Sequence, residues 1–405
     1  MKCVFDKILD RNVRKSFLLR KESSYNTSEE ELAQLNNFIL SDECTRGIER
    51  LRDGDHYFDI PRLIRLRKIN SDKRRQVYKF HDDESMILKL IAFVLHDYDD
   101  LFSDSLYSFR LGKHVSEIFN TIRRNGFSVT HWVIKADIKG FGDHVVPDIL
   151  DGQLKKLFFD EDKPFYEFLS FLLLRGEYYD KGILCHGSTG ALSGCALTNF
   201  FENIYLLDVD DVLIENSAYY CRFADDIAVF TVSEQEAVRA YTILEKMFAE
   251  RGLSFNTEKT AILPPGTLFD LLGFSIEGGE YHIAETSLRK IEWKLRHYAD
   301  KLILRQQKGQ LTKEEAGQMM VNRIDGYFFG KRRTEHEINW ADWAFRILTK
   351  PDSLERLDLC AQDCIRIVGS GGKRTDAKYR VRYHDMQQMG YRTLVHAYYH
   401  GYERV

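Results

Sequence analysis

Three carboxylates offer the clearest chemistry in this chain. Asp137 lies near the end of the strand-like run Trp132 to Ile138, and Asp225-Asp226 interrupt a second strand-rich block, Ala218 to Val232, at a tight bend. Two-metal phosphoryl transfer needs carboxylates from separate strands at one point, so that two cations roughly 4 Å apart can hold the attacking and leaving oxygens. An Asp-Asp pair in a bend is also ordinary turn chemistry. Order and context decide between the two readings.

The elements around these residues can be read from periodicity. A helix is expected to start at Ser28-Glu29-Glu30-Glu31, ahead of Leu32, Leu35, Phe38 and Ile39 at helical spacing. Asp59 to Ile69, the charged turn Asn70 to Arg75 and the return through Val77 to Phe80 read as a hairpin. Glu84 to Tyr98 has helical spacing, with Ile87, Leu88, Ile91, Val94 and Leu95 on one face. A new helix is expected near Asp143, and Gly190 to Val209 reads as a glycine-bearing loop running into a buried helix. Pro264-Pro265-Gly266 marks a turn before a further extended stretch, Phe269 to Ile276. Beyond Glu285 the spacing is helical throughout: Leu288, Ile291, Leu295 and Leu302 form a stripe, and Thr312 to Glu315 is a capping-box pattern. Trp340 and Trp343, three residues apart, suit a helical core better than base stacking. Gly369-Ser370-Gly371-Gly372 looks like a flexible linker.

Composition limits the classes open to the chain. With 405 residues, 44% of them apolar and 13% aromatic, it can build a large core. Seven cysteines, odd in number and without zinc-type spacing, together with no secretory signal, predict a reducing, cytoplasmic setting. No apolar run reaches the roughly 18 to 20 residues that span a bilayer, so no membrane partner is expected. The net charge of −4 is unevenly spread: residues 285–405 hold 23 Lys/Arg against 16 Asp/Glu, leaving 35 against 46 for residues 1–284. A basic tail is therefore the natural place to look for nucleic-acid contacts, although such a balance also describes a solvated helical surface.

The residues around the three acids make a family resemblance explicit. Phe223-Ala224-Asp225-Asp226 resembles the aromatic-x-Asp-Asp hairpin of reverse transcriptases, and Trp132 to Phe141 resembles the strand that carries their first catalytic Asp. Further blocks follow in the family's order. Leu106 to Arg110 resembles the finger segment; Gly190 to Gly194 and Asn199 to Asp208 resemble the glycine loop and helix below the incoming nucleotide. Leu253 to Thr260 and Leu271 to Phe274 resemble the last two palm blocks. The Tyr107 to Arg110 block, the Phe200 to Asp208 helix and the tail Met389 to Val395 are most similar to the bacterial "unknown group" and abortive-infection clade, which is related to group II intron and retron enzymes and includes many defence-associated reverse transcriptases.

The resemblance implies an α+β right-hand polymerase. Its expected parts are an N-terminal helical extension (1–55), fingers (56–130), a palm with finger insertions (131–284) and an all-helical thumb (285–405). By the same resemblance Asp137, Asp225 and Asp226, with the Ile138 carbonyl, hold two Mg²⁺, for which Mn²⁺ can substitute, and Lys259 protonates the departing pyrophosphate. Lys68 and Arg75 match the pair that grips the triphosphate, and Phe141, Gly142, Ser193 and Gly194 fall where the nucleotide binds. Arg110, Lys331, Arg332, Arg333, Lys373 and Arg374 are the candidate nucleic-acid contacts.

Two positions depart from the family pattern. Leu192-Ser193-Gly194 stands where Pro-Gln-Gly is usual, and Gly142 stands where a Tyr or Phe ring blocks the ribose 2′-OH. Either Phe141 takes over as the gate or sugar discrimination is relaxed. The expected activity is RNA-directed DNA synthesis from dNTPs in antiphage defence, with a dedicated noncoding RNA as template or scaffold and a DNA product. Oligomerisation or a companion defence protein is a further expectation. The alternatives are untemplated or protein-primed synthesis by the same site, RNA-dependent RNA synthesis, and an idle RNA-binding protein derived from a polymerase palm.

Overall fold

The structure is a computed structural model that describes residues 3–24, 27–67, 74–330 and 339–402. It divides into two compact units. One comprises residues 1–118 and 125–265, the other residues 119–124 and 266–405. The strands over 269–283 thus belong with the C-terminal helices rather than with the acid-bearing sheet.

The first unit opens with helices Val4–Leu9, Arg11–Ser23, Glu29–Ile39 and Asp42–Arg52. The helix start expected at Ser28 is present: its side chain accepts a hydrogen bond from the Glu31 amide at 3.1 Å. One four-stranded sheet has the order β2-β1-β4-β5, with β1 Arg62–Arg67, β2 Arg74–Lys79, β4 Glu177–Asp180 and β5 Ile183–His186. The predicted hairpin is β1 with β2, paired antiparallel from Arg62↔Lys79 to Arg67↔Arg74. The helix expected over 84–98 is α-helical only over Asp82–Val94 and tightens to a 3-10 helix over Leu95–Leu101.

The second sheet of this unit carries the acids. Its order is β6-β7-β3-β8, with β3 Trp132–Asp137, β6 Tyr219–Phe223, β7 Asp226–Thr231 and β8 Ala261–Leu263. Ile134, Ala136, Ile227 and Val229 are fully buried, as are Ala237 and Leu244 of helix Glu234–Ala249, which packs on β3 and β7. Burying a Val, Leu or Ile side chain is worth about 1.5–3 kcal/mol, so the strand ends are pinned by the sheet behind them.

The second unit contains an antiparallel sheet β11-β10-β9, with β9 Phe269–Leu271, β10 Phe274–Glu277 and β11 Glu280–Ile283, followed by helices. The predicted stripe of Leu288, Ile291, Leu295 and Leu302 is buried along helix Glu285–Gln307, and Thr312 forms the capping box of the next helix, Lys313–Phe328. Trp343 packs edge-on to Phe274 and Trp340 to Phe328, with ring centroids 4.8 and 4.9 Å apart. The linker expected at 369–372 is instead a packed helix end: the Gly371 and Gly372 amides bond back to Val368 and Ile367 at 3.0 and 2.9 Å, and Ser370 is buried. Gly-rich composition is shared by linkers and helix caps, which explains the misreading. The tail block around Tyr391 has a structural use. The buried Asp358 carboxylate accepts from the amides of Leu394 and Val395 at 2.8 and 3.0 Å and from the Tyr391 hydroxyl at 3.1 Å.

Candidate active site

Antiparallel pairing of β3 with β7 sets Asp137 directly opposite Asp226, and the Ile138 amide donates to the Asp225 carbonyl at 3.3 Å. Three acids from distant parts of the sequence therefore meet at adjoining strand ends. The segment 253–260 wraps the first of them. The Asn256 amide donates to the Asp137 carbonyl at 2.8 Å, its side chain donates to Asp137 Oδ1 at 2.8 Å, and Lys259 Nζ lies 2.8 Å from Oδ2. Burial alone would lower the Lys259 pKa, but the hydrogen bond and charge of Asp137 hold it above its ordinary value. Lys135, on β3, is paired with Asp226. Asp225 has its pKa raised, first by burial and then by the neighbouring charges of Asp137 and Asp226.

Clustered carboxylate oxygens suit a hard divalent cation. Among the described residues no three such side chains stand arranged as a finished metal cage. Oxygens of Asp137 and Asp226 are instead engaged by the ammonium groups of Lys259 and Lys135. The donor set fits a cation that takes over the charge neutralisation these lysines now provide.

The Asp-Asp bend is braced from beneath. Ala224 has φ +56°, a left-handed conformation that costs a non-glycine residue about 1–2 kcal/mol. Its amide donates to Ser108 Oγ at 3.0 Å, and Ser108 Oγ lies 3.3 Å from Asn203 Oδ1. Arg222, fully buried, makes a two-pronged bond to Asp210 at 2.7 and 2.6 Å, and Tyr220 donates to the same carboxylate at 2.5 Å. The finger segment thus has a second use: Tyr107 and Ser105 bond the backbone of Arg222, and Ser108 holds the bend.

The nucleotide side is built differently. At Gly142 an added Cβ would lie 2.6 Å from Ser193 Oγ and 2.8 Å from Glu202 Oε1, so a side chain there would have to push both aside. The Phe141 ring, the alternative gate, is buried, 6.5 Å centroid to centroid from that of Tyr205. Ser193 donates to Asp143 at 3.3 Å, while its carbonyl accepts from the Tyr78 amide at 2.8 Å and so fastens the glycine loop to β2. Gly194, at φ +95°, faces Val77 so closely that a Cβ would lie 2.4 Å from its side chain. Arg75, on β2, is exposed, and its charge is felt at Glu202. Burial first, and the charge of Asp225 second, push the Glu202 carboxyl up to about 7.

Other expected contacts lie elsewhere. Arg110 is turned back onto the Ser103 and Leu106 carbonyls, and Lys373 and Arg374 are exposed on the second unit. Lys68, Lys331, Arg332 and Arg333 fall outside the described residues. Sequence reasoning passed over Glu202, Asn256, Lys135 and the Arg222–Asp210 pair. The available signal was a charged residue inside an apolar run, as Glu202 is in helix Thr198–Tyr205 and Arg222 is in β6.

Paired acids on an antiparallel sheet, with a finger sheet and a helical unit in the same chain, define a polymerase of the right-hand class. Residues 67–276 match the family model described as "Reverse transcriptase (RNA-dependent DNA polymerase)". The chain belongs to that family, whose members are nucleotidyltransferases. No curated protein matches it in sequence. Among solved structures it is similar to apo telomerase from Candida tropicalis truncated from the C-terminal domain, at 14% identity and a TM-score of 0.43, with 55% of each chain covered. It is also similar to telomerase from Candida albicans in complex with a fragment of telomeric RNA, at 11% identity and a TM-score of 0.41, covering 93% of this chain and 68% of that one. The chain thus spans about half the length of the first of these. Among the described residues no helix is long and apolar enough to cross a membrane.

Proposed function

We propose that the chain is an RNA-directed DNA polymerase that extends DNA from dNTPs. The observation that carries this reading is the meeting of Asp137 with Asp225 and Asp226 at adjoining strand ends, within a chain of the reverse transcriptase family. Asp137, Asp225 and Asp226, with the Ile138 carbonyl, would hold two divalent cations, Mg²⁺ by first choice. When bound, these supply charge stabilisation to the phosphoryl-transfer transition state. Lys259 is charged and beside Asp137, a position from which it can give a proton to the departing pyrophosphate. Arg75, together with Lys68, grips the triphosphate, and Ser193-Gly194 line the place of the nucleotide. Ser108, Asn203, Arg222 and Asp210 keep the Asp225-Asp226 bend in place without touching substrate.

In this reading residues 56–130 are fingers, 131–284 palm and 285–405 thumb, the last meeting the primer-template duplex through Lys331 to Arg333, Lys373 and Arg374. The blocks shared with the abortive-infection clade support a role in antiphage defence in the cytoplasm, with a noncoding RNA as partner and a companion protein or second copy in the assembly. The test is incorporation of labelled dNTPs on RNA templates by the purified protein, with sequencing of the nucleic acid that co-purifies. Templated DNA product that disappears in Asp225→Asn supports the reading. Full biological activity in an Asp225→Ala, Asp226→Ala protein overturns it.

A further inference from the structure

Glu202 is the least explained charged group near the acids. It is only 9% exposed, its Oε1 faces Gly142, and nearby charges rather than a direct ion pair among the described residues act on its carboxylate. The residue is largely buried, yet its carboxylate oxygens are not among the buried atoms left without a partner, so they stay open to a visiting donor. Its oxygen and that of Ser193 converge on the space in front of Gly142, where any side chain would displace them. The charges of Asp225 and Asp143, and of Arg75 and Arg222, all reach this carboxylate.

These neighbours fix what it can meet. If Asp225 is the α-phosphate end of a bound nucleotide and Arg75 its polyphosphate end, the group attached to the α-phosphate is the sugar. A carboxyl group facing a sugar has one natural partner there, a hydroxyl that donates to its oxygen. We propose that Glu202, positioned by the absent side chain of Gly142 and flanked by Ser193, accepts a hydrogen bond from the ribose 2′-OH, so that the site reads ribonucleotides by recognition where an aromatic ring would exclude them. The proposal rests on the polymerase reading above. It goes beyond that reading by naming the group that contacts the sugar and a substrate class, ribonucleoside triphosphates, that the site admits.

The experiment compares GTP, dGTP and 2′-fluoro-dGTP, both in incorporation and in equilibrium binding to the full chain. Fluorine at the 2′ position accepts weakly and cannot donate, so it separates hydrogen bonding from size. Wild type is expected to use GTP within about tenfold of dGTP and to treat the fluoro compound as it treats dGTP. In Glu202→Ala the GTP-to-dGTP ratio of kcat/KM, and of affinity, should fall at least about tenfold. Glu202→Gln, which keeps the volume, should fall between the two and serves if the alanine protein does not fold. An unchanged ratio in the variants, a wild type that strongly rejects GTP, or a fluoro compound that follows GTP overturns the proposal. Intact nucleotide binding without incorporation would count against the polymerase reading alone, and the affinity ratios would still decide the sugar contact. Binding of neither nucleotide overturns both.

Discussion

The two sides of the candidate site are held by different means. On the acid side, the backbone around Asp137, Asp225 and Asp226 is tied by a sheet register, by Asn256, and by the Ser108, Asn203, Arg222 and Asp210 network. On the nucleotide side, the geometry around Gly142 comes from a missing side chain and two oxygens that converge on the gap, one of them on the Glu202 carboxylate. The first arrangement fixes positions in advance, as a reaction dependent on electrostatic preorganisation needs. The second leaves a carboxylate open to a visiting donor.

The comparison breaks most sharply at the acids. Asp225→Asn should lower kcat for nucleotide incorporation on the order of 10³-fold or more, with the fold intact by circular dichroism. A residual rate near wild type would remove the acid side from the chemistry. Next in size is the brace. Arg222→Met leaves the Asp210 carboxylate buried without its counter-charge and with the Tyr220 hydroxyl as its remaining donor, which should cost about 3–5 kcal/mol in denaturant unfolding. Adding Asp210→Leu should recover much of that loss, and a single variant as stable as wild type would show that the network does not hold the bend.

On the other side, Gly142→Ala should destabilise the protein by about 1–3 kcal/mol, because its Cβ needs the space of Ser193 and Glu202. The check is again denaturant unfolding, and no change would mean that Glu202 swings aside freely. The smallest expected effect is a pH dependence. Burial raises the Glu202 pKa from 4.5 to about 7, so charging it costs folded-state stability; the penalty is absent below 4.5, grows through that window and is complete above it. Glu202→Gln should therefore stabilise the chain at about pH 8, by on the order of 1–3 kcal/mol in a chelating buffer, and do little at about pH 5. Equal effects at both pH values would show that the carboxylate is not desolvated.

Much of the fold was legible because its signals are local. A β-branched run ending at Asp137, two apolar halves around Asp225-Asp226 and a helical stripe from Leu288 to Leu302 each declare themselves within a few residues. Even the order of the blocks can be read without coordinates. Glu202 could not be found that way, since its meaning depends on Gly142 and Ser193, which reach it only through the folded chain. The Arg222–Asp210 pair is hidden for the same reason, being formed between a strand and the helix before it. Gly371 and Gly372 failed in the opposite direction: a local signal was present, but a helix cap and a linker share it.

The contact between β2 and the glycine loop also bears on how such a chain changes over generations. Val77 leaves no space for a side chain at position 194, and the Tyr78 amide holds the carbonyl next to it. A side chain at 194 would need both a smaller residue at 77 and a backbone that tolerates a Cβ at φ +95°. These two segments, far apart in the sequence, are therefore coupled in one direction: a side chain at 194 calls for a smaller residue at 77, whereas a smaller residue at 77 makes no demand on 194.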